Sequence, residues 1–292
     1  MVGAARLGHF GMAECDELVD VELVIGEEHE LLEVLGSRAG VVPQARQRIV
    51  DARRREQREG IWLHVDAAYA GVAAMLPTHR HILAGVEAAD SLVVNPHKWL
   101  FTPFDLSAFY SRHMDLVRAA FSLTPEYLKT AEGDAGTVHN LMDTGVQLGR
   151  RFRALKLWMV MRSFGAGGLC DELSRHIDLA QQLAAWVDAH PDFTRVAPAP
   201  FSVVCFRWEP AAWRMTPPPF DADALDAMNA RVIDRVNASG EIFLSHTRLY
   251  GRYVIRVAIG HERTSIVHVQ RAWELLLQQA RTIQDSADPA QP

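Results

Sequence analysis

Cysteine is scarce in this chain. Cys15, Cys170 and Cys205 are the three in 292 residues, and no two stand in a C-x-x-C spacing. That pattern argues against a disulfide framework or a thiolate zinc site and fits a reducing cytoplasm. Positive charge is also short: 30 Lys and Arg against 36 Asp and Glu leave a net charge of −6, so no nucleic-acid face is expected. No apolar run reaches the roughly 18 residues of a membrane span, and the first residues lack the basic start and apolar core of a secretion signal. A cytoplasmic protein with no membrane partner is the expectation. Gly-x-Gly-x-x-Gly and Gly-x-x-x-x-Gly-Lys loops are missing, which speaks against nucleotide binding. His79-x-His81 has no further ligand cluster near it, so no metal is expected. The arginines between 44 and 59 alternate with Glu56 and Glu59, the pattern of a solvated helix face.

What is present is ordinary globular material, 49% hydrophobic and 23% charged. Residues 1–40 read poorly, apart from one short helix ending at Gly36. Residues 44–59 favour a helix with Gly60 at its C-cap. Beyond Gly60, strands are expected at 61–66, 91–95 and 106–111, with a helix at 79–88 between the first two. Such alternation predicts a parallel sheet with helices packed on it. Residues 125–145 are polar and glycine-bearing and predict a mobile loop. Phe152, Leu155 and Met159 mark a helix ending near Gly165, and a second helix covers 168–189 before Pro191.

From about 200 the pattern changes to strand 202–208, helix 221–238, strands 241–246 and 252–259, and helix 265–282. Tyr253, Ile255, Val257 and Ile259 alternate with Arg252, Val254, Arg256 and Ala258, which predicts a sheet with one buried face. The expected organisation is an atypical segment at 1–60, the C-terminal part of a large α/β domain at 61–180, a small α+β domain at 181–285, and a disordered tail at 286–292.

Two segments carry chemistry. Asn95-Pro96-His97-Lys98-Trp99 puts a lysine behind the apolar run Leu92 to Val94. His64-Val65-Asp66-Ala67-Ala68-Tyr69-Ala70-Gly71 puts an aspartate at the end of an earlier apolar run. Lys98 sits between His97 and Trp99, a setting unlike that of a surface lysine. An amine that forms an imine with an aldehyde, and a carboxylate that keeps a ring nitrogen protonated, are the pair that a Schiff-base cofactor needs. Asp66 and Lys98 are 32 residues apart, about one strand, crossover and strand of an α/β unit.

With Pro125-Glu126-Tyr127-Leu128-Lys129, Gly149-Arg150-Arg151-Phe152-Arg153-Ala154-Leu155-Lys156-Leu157-Trp158 and His268-Val269-Gln270-Arg271-Ala272-Trp273, these segments stand in family order. The chain resembles the pyridoxal-phosphate-dependent group II amino-acid decarboxylases of the aromatic branch, from about Gly60 to about residue 280. The resemblance implies an α/β fold of the pyridoxal-phosphate transferase type (fold type I), as an incomplete large parallel-sheet domain plus a small C-terminal α+β domain. It implies pyridoxal 5'-phosphate as cofactor, an L-amino acid substrate, and a homodimer. Lys98 would form the Schiff base and Asp66 would pair with the ring nitrogen. Ala68, expected two residues on along the same strand face, would lie against the ring. Asn95, His97 and Ser91 resemble positions around the cofactor phosphate, and Gly149 resembles a glycine that approaches the phosphate of the neighbouring subunit.

Tyr127 resembles the loop tyrosine that protonates the substrate carbon, where aldehyde-forming relatives carry phenylalanine. Family members place a much longer segment ahead of His64, so the resemblance implies an N-terminally truncated member. That segment supplies a dimer-interlocking arm, a Ser/Thr turn for the phosphate and a histidine stacked on the ring. Two alternatives stay open: an aminotransferase or aldolase of the same fold, and a non-catalytic remnant or dimerisation partner.

Overall fold

The computed structural model describes residues 20–24, 62–122, 140–214 and 221–287. The described residues form two compact units that divide between Leu169 and Cys170. The short helices expected at the N-terminal end, most of the 125–145 loop and the last residues lie outside the described residues.

In the first unit, β1 (Asp20–Val24), β2 (Trp62–Asp66), β3 (Ser91–Val94) and β4 (Ala108–Ser111) form one sheet in that order. Leu63 and Val65 of β2 are fully buried while Trp62, His64 and Asp66 are half-buried, the period-two pattern of a strand with one covered face. They pack with Ala67, Ala89, Leu83, Val86, Leu92 and Val94. The expected parallel sheet is mixed in this chain: β2 and β3 run parallel, whereas β1 and β4 pair antiparallel at either side.

The crossover between β2 and β3 is built from 3-10 turns, at Ala70–Met75, Arg80–Leu83 and Val86–Ala88. The helix expected at 79–88 is therefore interrupted. Gly85, with φ 96°, takes a left-handed conformation that an α-helix cannot continue through. Gly71 has a steric duty here. A Cβ at that position would lie 2.8 Å from Ala67 Cβ and 3.1 Å from Val94 Cγ2, so the turn seats directly on the sheet.

Three helices follow in this unit: α1 (Pro96–Trp99), α2 (Met114–Phe121) and the start of α3 (Arg153–Ala189). The two helices expected on either side of Gly165 are both present, as arms of α3 joined at a kink where Gly165 has φ 67°. The apolar stripe of the first arm does not enter a core. Phe152, Leu155 and Met159 are all exposed, Phe152 at 75%.

The second unit holds an antiparallel sheet in the order β5 (Phe193–Arg195), β6 (Val203–Trp208), β8 (Arg252–Ala258), β7 (Ser245–Leu249). Its core joins Leu179, Leu183 and Val187 of α3 with the sheet residues Val204, Phe206 and Ile255. Val232 and Val236 of α5 (Ala222–Ala238) and Leu275, Leu276 and Ile283 of α6 (Ile266–Ala287) complete it. The four-residue α4 (Ala211–Arg214) links β6 to α5.

Three expectations shift in this unit. The strand expected at 241–246 begins only at Ser245, because Asn237 bonds both the amide and the carbonyl of Leu244 and holds the connection out of α5. Val254, assigned to the solvent side of β8, is fully buried like Ile255, so both faces are covered there. α6 continues through Ala287, past the expected start of the tail; Ser286 Oγ donates to Thr282 O at 2.6 Å.

Arg207 is the unit's buried charge. Its guanidinium donates to Glu209 Oε1 at 2.9 Å, to Asp226 Oδ1 at 2.7 Å and to the Tyr253 carbonyl. Burial pushes the Asp226 carboxyl up. Hydrogen bonds from Arg207 and the Tyr253 amide, with the charges of Arg207 and Arg248, more than offset this and hold it below the usual range.

Two tests follow from this packing. Gly71→Ala should destabilise the chain by about 1–3 kcal/mol through overpacking against Ala67, read as a lower denaturation midpoint. A carboxyl lowered in the folded state contributes stability above its unfolded pKa, near 4, and loses it as pH falls through the folded value. The denaturation midpoint should therefore drop as pH is lowered through about 4. Asp226→Asn should flatten that drop while costing about 1.5–3 kcal/mol at neutral pH.

Candidate active site

The candidate site is built at the carboxyl ends of β2 and β3, where parallel strands of α/β sheets present ligands. Asp66 closes β2 opposite Val93. The ladder continues past both strands: the Ala67 amide donates to Val93 O and the Asn95 amide to Ala68 O, each at 3.0 Å. The segments 66–68 and 93–95 are thereby held edge to edge.

Asp66 turns the chain itself. Its Oδ1 accepts the Ala68 amide at 2.8 Å, the bond of an Asx turn. Ala68 therefore lies in a turn and not on the strand face where it was expected, because the aspartate ends the strand at its own residue. Ala68 is buried. Asp66 Oδ2 has no partner among the described residues.

Asn95 precedes α1, and Pro96 occupies the first helical position, where a missing amide hydrogen costs nothing. The Lys98 amide donates to Asn95 O at 2.8 Å and the Leu100 amide to Pro96 O at 3.0 Å. Trp99 is fully buried and stacks on Tyr69, with ring centres 5.2 Å apart and 6° between planes. Successive residues of a helix point about 100° apart, so burying Trp99 leaves its neighbour outward. Lys98 is exposed, and the apolar surroundings of its motif belong to Trp99. The Asn95 side-chain oxygen is buried and has no hydrogen-bond partner among the described residues.

His97 is oriented by main chain. Its Nδ1 accepts the Leu106 amide at 3.1 Å and also lies against the Leu106 carbonyl oxygen. Phe104 packs edge-on to the ring, 5.1 Å between centres. Nε2 is the ring nitrogen left over.

The loop 100–107 that supplies Phe104 and Leu106 is tied to α3. Lys156 Nζ donates to Pro103 O at 2.9 Å and to Asp105 O at 2.8 Å. Arg153 donates through Nε and Nη2 to Asp105 Oδ2 at 3.2 and 3.1 Å. The Arg153 hydrogen bond comes first among the influences that hold the Asp105 carboxyl below its usual range. Sequence reading did not find Asp105, Arg153 or Lys156 as a group, since 48 to 51 residues separate the partners.

The structure therefore brings Asp66, Ala68, Asn95, His97 and Lys98 together on two adjacent segments, and leaves two expected residues elsewhere. Ser91 begins β3, at the opposite end from Asn95. It is buried, accepts from Trp62 Nε1 at 2.8 Å and lies 2.7 Å from His64 Nδ1, so its hydroxyl serves the sheet. Gly149 lies ahead of α3, exposed, with nothing within 4 Å of a notional Cβ. This chain's own packing does not require glycine there. Tyr127 lies outside the described residues.

The assembled groups suit one kind of ligand. An ammonium, an amide and an imidazole nitrogen can meet an anion, and a carboxylate with one free oxygen can meet a protonated ring nitrogen.

Comparison with known proteins gives a consistent picture. A family model described as the pyridoxal-dependent decarboxylase conserved domain matches residues 45–209. Phenylacetaldehyde synthase of Arabidopsis thaliana is 41% identical over 221 residues, covering 76% of this chain and 44% of the relative. Tryptophan decarboxylase 2 of Oryza sativa subsp. japonica is 41% identical over 223 residues, with the same two shares. Among solved structures, Oryza sativa TDC with PLP and tryptamine is similar, with a TM-score of 0.72 and 36% identity; the match covers 80% of this chain and 47% of that one. Catharanthus roseus tryptophan decarboxylase in complex with L-tryptophan is also similar, at a TM-score of 0.69, 33% identity and the same coverage. The chain thus spans a little under half the length of the relatives it matches.

Asn95→Ala offers a direct test of the unpartnered side-chain oxygen. Removing a buried polar atom that makes no hydrogen bond forfeits nothing, so the ligand-free variant should melt at or above the temperature of the parent. A clear drop would show that the side chain has a structural partner.

Proposed function

The chain belongs to the pyridoxal-dependent decarboxylase family, and on that premise we propose that it decarboxylates an aromatic L-amino acid to its amine with pyridoxal 5'-phosphate held by Lys98 and Asp66. The observation that carries this reading is the placing of Asp66 and Lys98 on adjacent segments, held edge to edge by the Ala67–Val93 and Asn95–Ala68 bonds, at the carboxyl ends of two parallel strands. The donor and acceptor set fits the cofactor. Asp66 Oδ2 would accept the hydrogen bond of the protonated ring nitrogen, Lys98 would engage the aldehyde, and Asn95 Nδ2 with His97 Nε2 would donate to phosphate oxygens.

When bound, the cofactor supplies an electron sink for the pair released as the bond from the α-carbon to the carboxylate breaks. The chain's residues do the rest. Asp66 is held by the Ala68 amide through Oδ1, which orients the carboxylate and leaves Oδ2 to accept from a ring nitrogen. Ala68 is small and buried, so it can serve as a flat wall. Lys98, exposed on α1, has the freedom to release the cofactor when the substrate amine arrives. Tyr127 would deliver a proton to the α-carbon in place of the departing carboxylate, and its loop would exclude water. Gly149 would approach the phosphate of a second copy in a homodimer, which the absence of any intrachain need for glycine favours.

The aromatic class is supported by relatives named as tryptophan and tyrosine decarboxylases at 41% identity. Among the described residues no helix is long and apolar enough to cross a membrane.

A second reading has one specific observation in its favour. The likeness to a phenylacetaldehyde synthase is as high as that to the decarboxylases, so oxidative release of an aldehyde is its content. Tyr127, a tyrosine at the position where aldehyde-forming relatives carry phenylalanine, favours the amine.

The test is a product screen with pyridoxal phosphate over tryptophan, tyrosine, dopa, histidine, glutamate and aspartate, measuring carbon dioxide, amine and aldehyde. Amine from an aromatic substrate is the expected result. Lys98→Ala should abolish both turnover and the visible absorbance of lysine-bound cofactor. Asp66→Asn should keep the absorbance and lower kcat by about 10²–10³-fold, the scale of losing one electrostatic stabiliser. Selective turnover of an acidic amino acid would overturn the substrate class, and keto-acid exchange without carbon dioxide would overturn decarboxylation.

A further inference from the structure

His97 sits directly beside Lys98, and its ring is not held by a neighbour in sequence. It is held by the main chain of Leu106, whose amide reaches Nδ1 at 3.1 Å while the carbonyl oxygen lies against the same nitrogen. Leu106 is buried, and Phe104 of the same loop meets the imidazole edge-on. The tilt of the ring, and with it the direction of Nε2, therefore follows the path of the loop main chain.

That path has little regular structure to define it. Residues 101–107 contribute no strand or helix. Thr102 makes only a long amide contact to Pro96 O, at 3.4 Å, and a hydroxyl bond to Leu100 O at 3.2 Å. The strong ties come from α3. Lys156 spans the carbonyls of Pro103 and Asp105 with one ammonium, and Arg153 forks onto the Asp105 carboxylate. Arg151 Nη1 adds a looser contact to Asp105 Oδ1 at 3.8 Å. Charge-assisted bonds of this kind are about twice as strong as neutral ones. They fall on the residues immediately before Leu106.

We propose that Asp105, Arg153 and Lys156 are positioning residues that set the phosphate affinity of the site, by fixing the 103–106 main chain on which the His97 ring is oriented. None of the three touches the ligand in this scheme. They act through Leu106 and His97, and the inference rests on the reading above in which His97 Nε2 meets a phosphate oxygen. Its distinguishing property is selectivity: a loop allowed to drift would misplace the phosphate donor while leaving the Lys98 amine and the Asp66 carboxylate where β2, β3 and α1 hold them.

The experiment compares two probes, pyridoxal phosphate and pyridoxal, which share the aldehyde and ring and differ in the phosphate. Each is titrated into the parent chain, Lys156→Met, Lys156→Arg and Asp105→Asn, reading the visible absorbance of the lysine-bound chromophore, with Lys98→Ala as blank. A thermal melt of each ligand-free variant is recorded alongside. Lys156→Met and Asp105→Asn should weaken pyridoxal phosphate by about 10- to 100-fold, the scale seen when outer partners of ligand-binding side chains are lost. Pyridoxal binding should stay nearly unchanged. Lys156→Arg, which can still donate to both carbonyls, should recover most of the loss. Equal weakening of both probes would overturn the inference, because it would mark general loosening of the site, and so would unchanged affinity for both. A parent chain that takes up neither probe would overturn the cofactor reading together with this inference. A parent that binds both, with variants that match it, overturns this inference alone.

Discussion

The pairing of β2 with β3 is parallel, and it does not stop where the strands do. Ala67 to Val93 and Asn95 to Ala68 carry the ladder onward into the turns, and every candidate residue on these segments takes its position from that extension. Side chains on a strand alternate faces, so a slip of one residue would carry Asp66 to the side occupied by Leu63 and Val65. It would also part the Asn95 amide from Ala68. The register is protected by burial: Leu63, Val65 and Ala67 are fully covered on one face, and exposing them to rescue a wrong register would cost about 25 cal/mol for each Å² of apolar surface returned to water. Gly71, packed against Ala67 and Val94, closes the same corner from the crossover side.

Much of this was readable from the sequence because it is written locally. The strand from Trp62 to Asp66 and the apolar run before Asn95 need no distant partner to be recognised. Gly165 and Pro191 bound the second arm of α3 for reasons internal to their own conformations. What could not be read depends on a single dihedral angle, on one particular side-chain bond, or on partners far apart in the chain. The 79–88 helix fails on a left-handed glycine whose geometry no propensity reveals. The Ala68 turn depends on one hydrogen bond from its own amide to Asp66. The late start of β7 depends on Asn237, which an α-helix presents to a strand that has not yet formed. The Asp105 clamp joins residues about fifty positions apart, beyond any local pattern.

The motif residues divide on the same principle. Lys98 and Asp66 can be picked out from short segments, yet the exposure of Lys98 follows from the burial of its neighbour Trp99. Ser91 carries the right chemistry for an anion and stands in the right motif. The structure gives its hydroxyl to Trp62 and His64 at the far end of the strand. A polar side chain near a cofactor motif is thus a candidate only when its own strand brings it to the correct end of the sheet.

Phe152, Leu155, Trp158 and Met159 stand in the open along the first arm of α3, each more than two-fifths exposed. Apolar side chains grouped in this way favour association, against the mutual repulsion that a net charge of −6 supplies. In a cell, surface of that kind is recruited by chaperones and proteases as if it were unfolded. A partner that covered this one helix would therefore protect the chain as well as complete it.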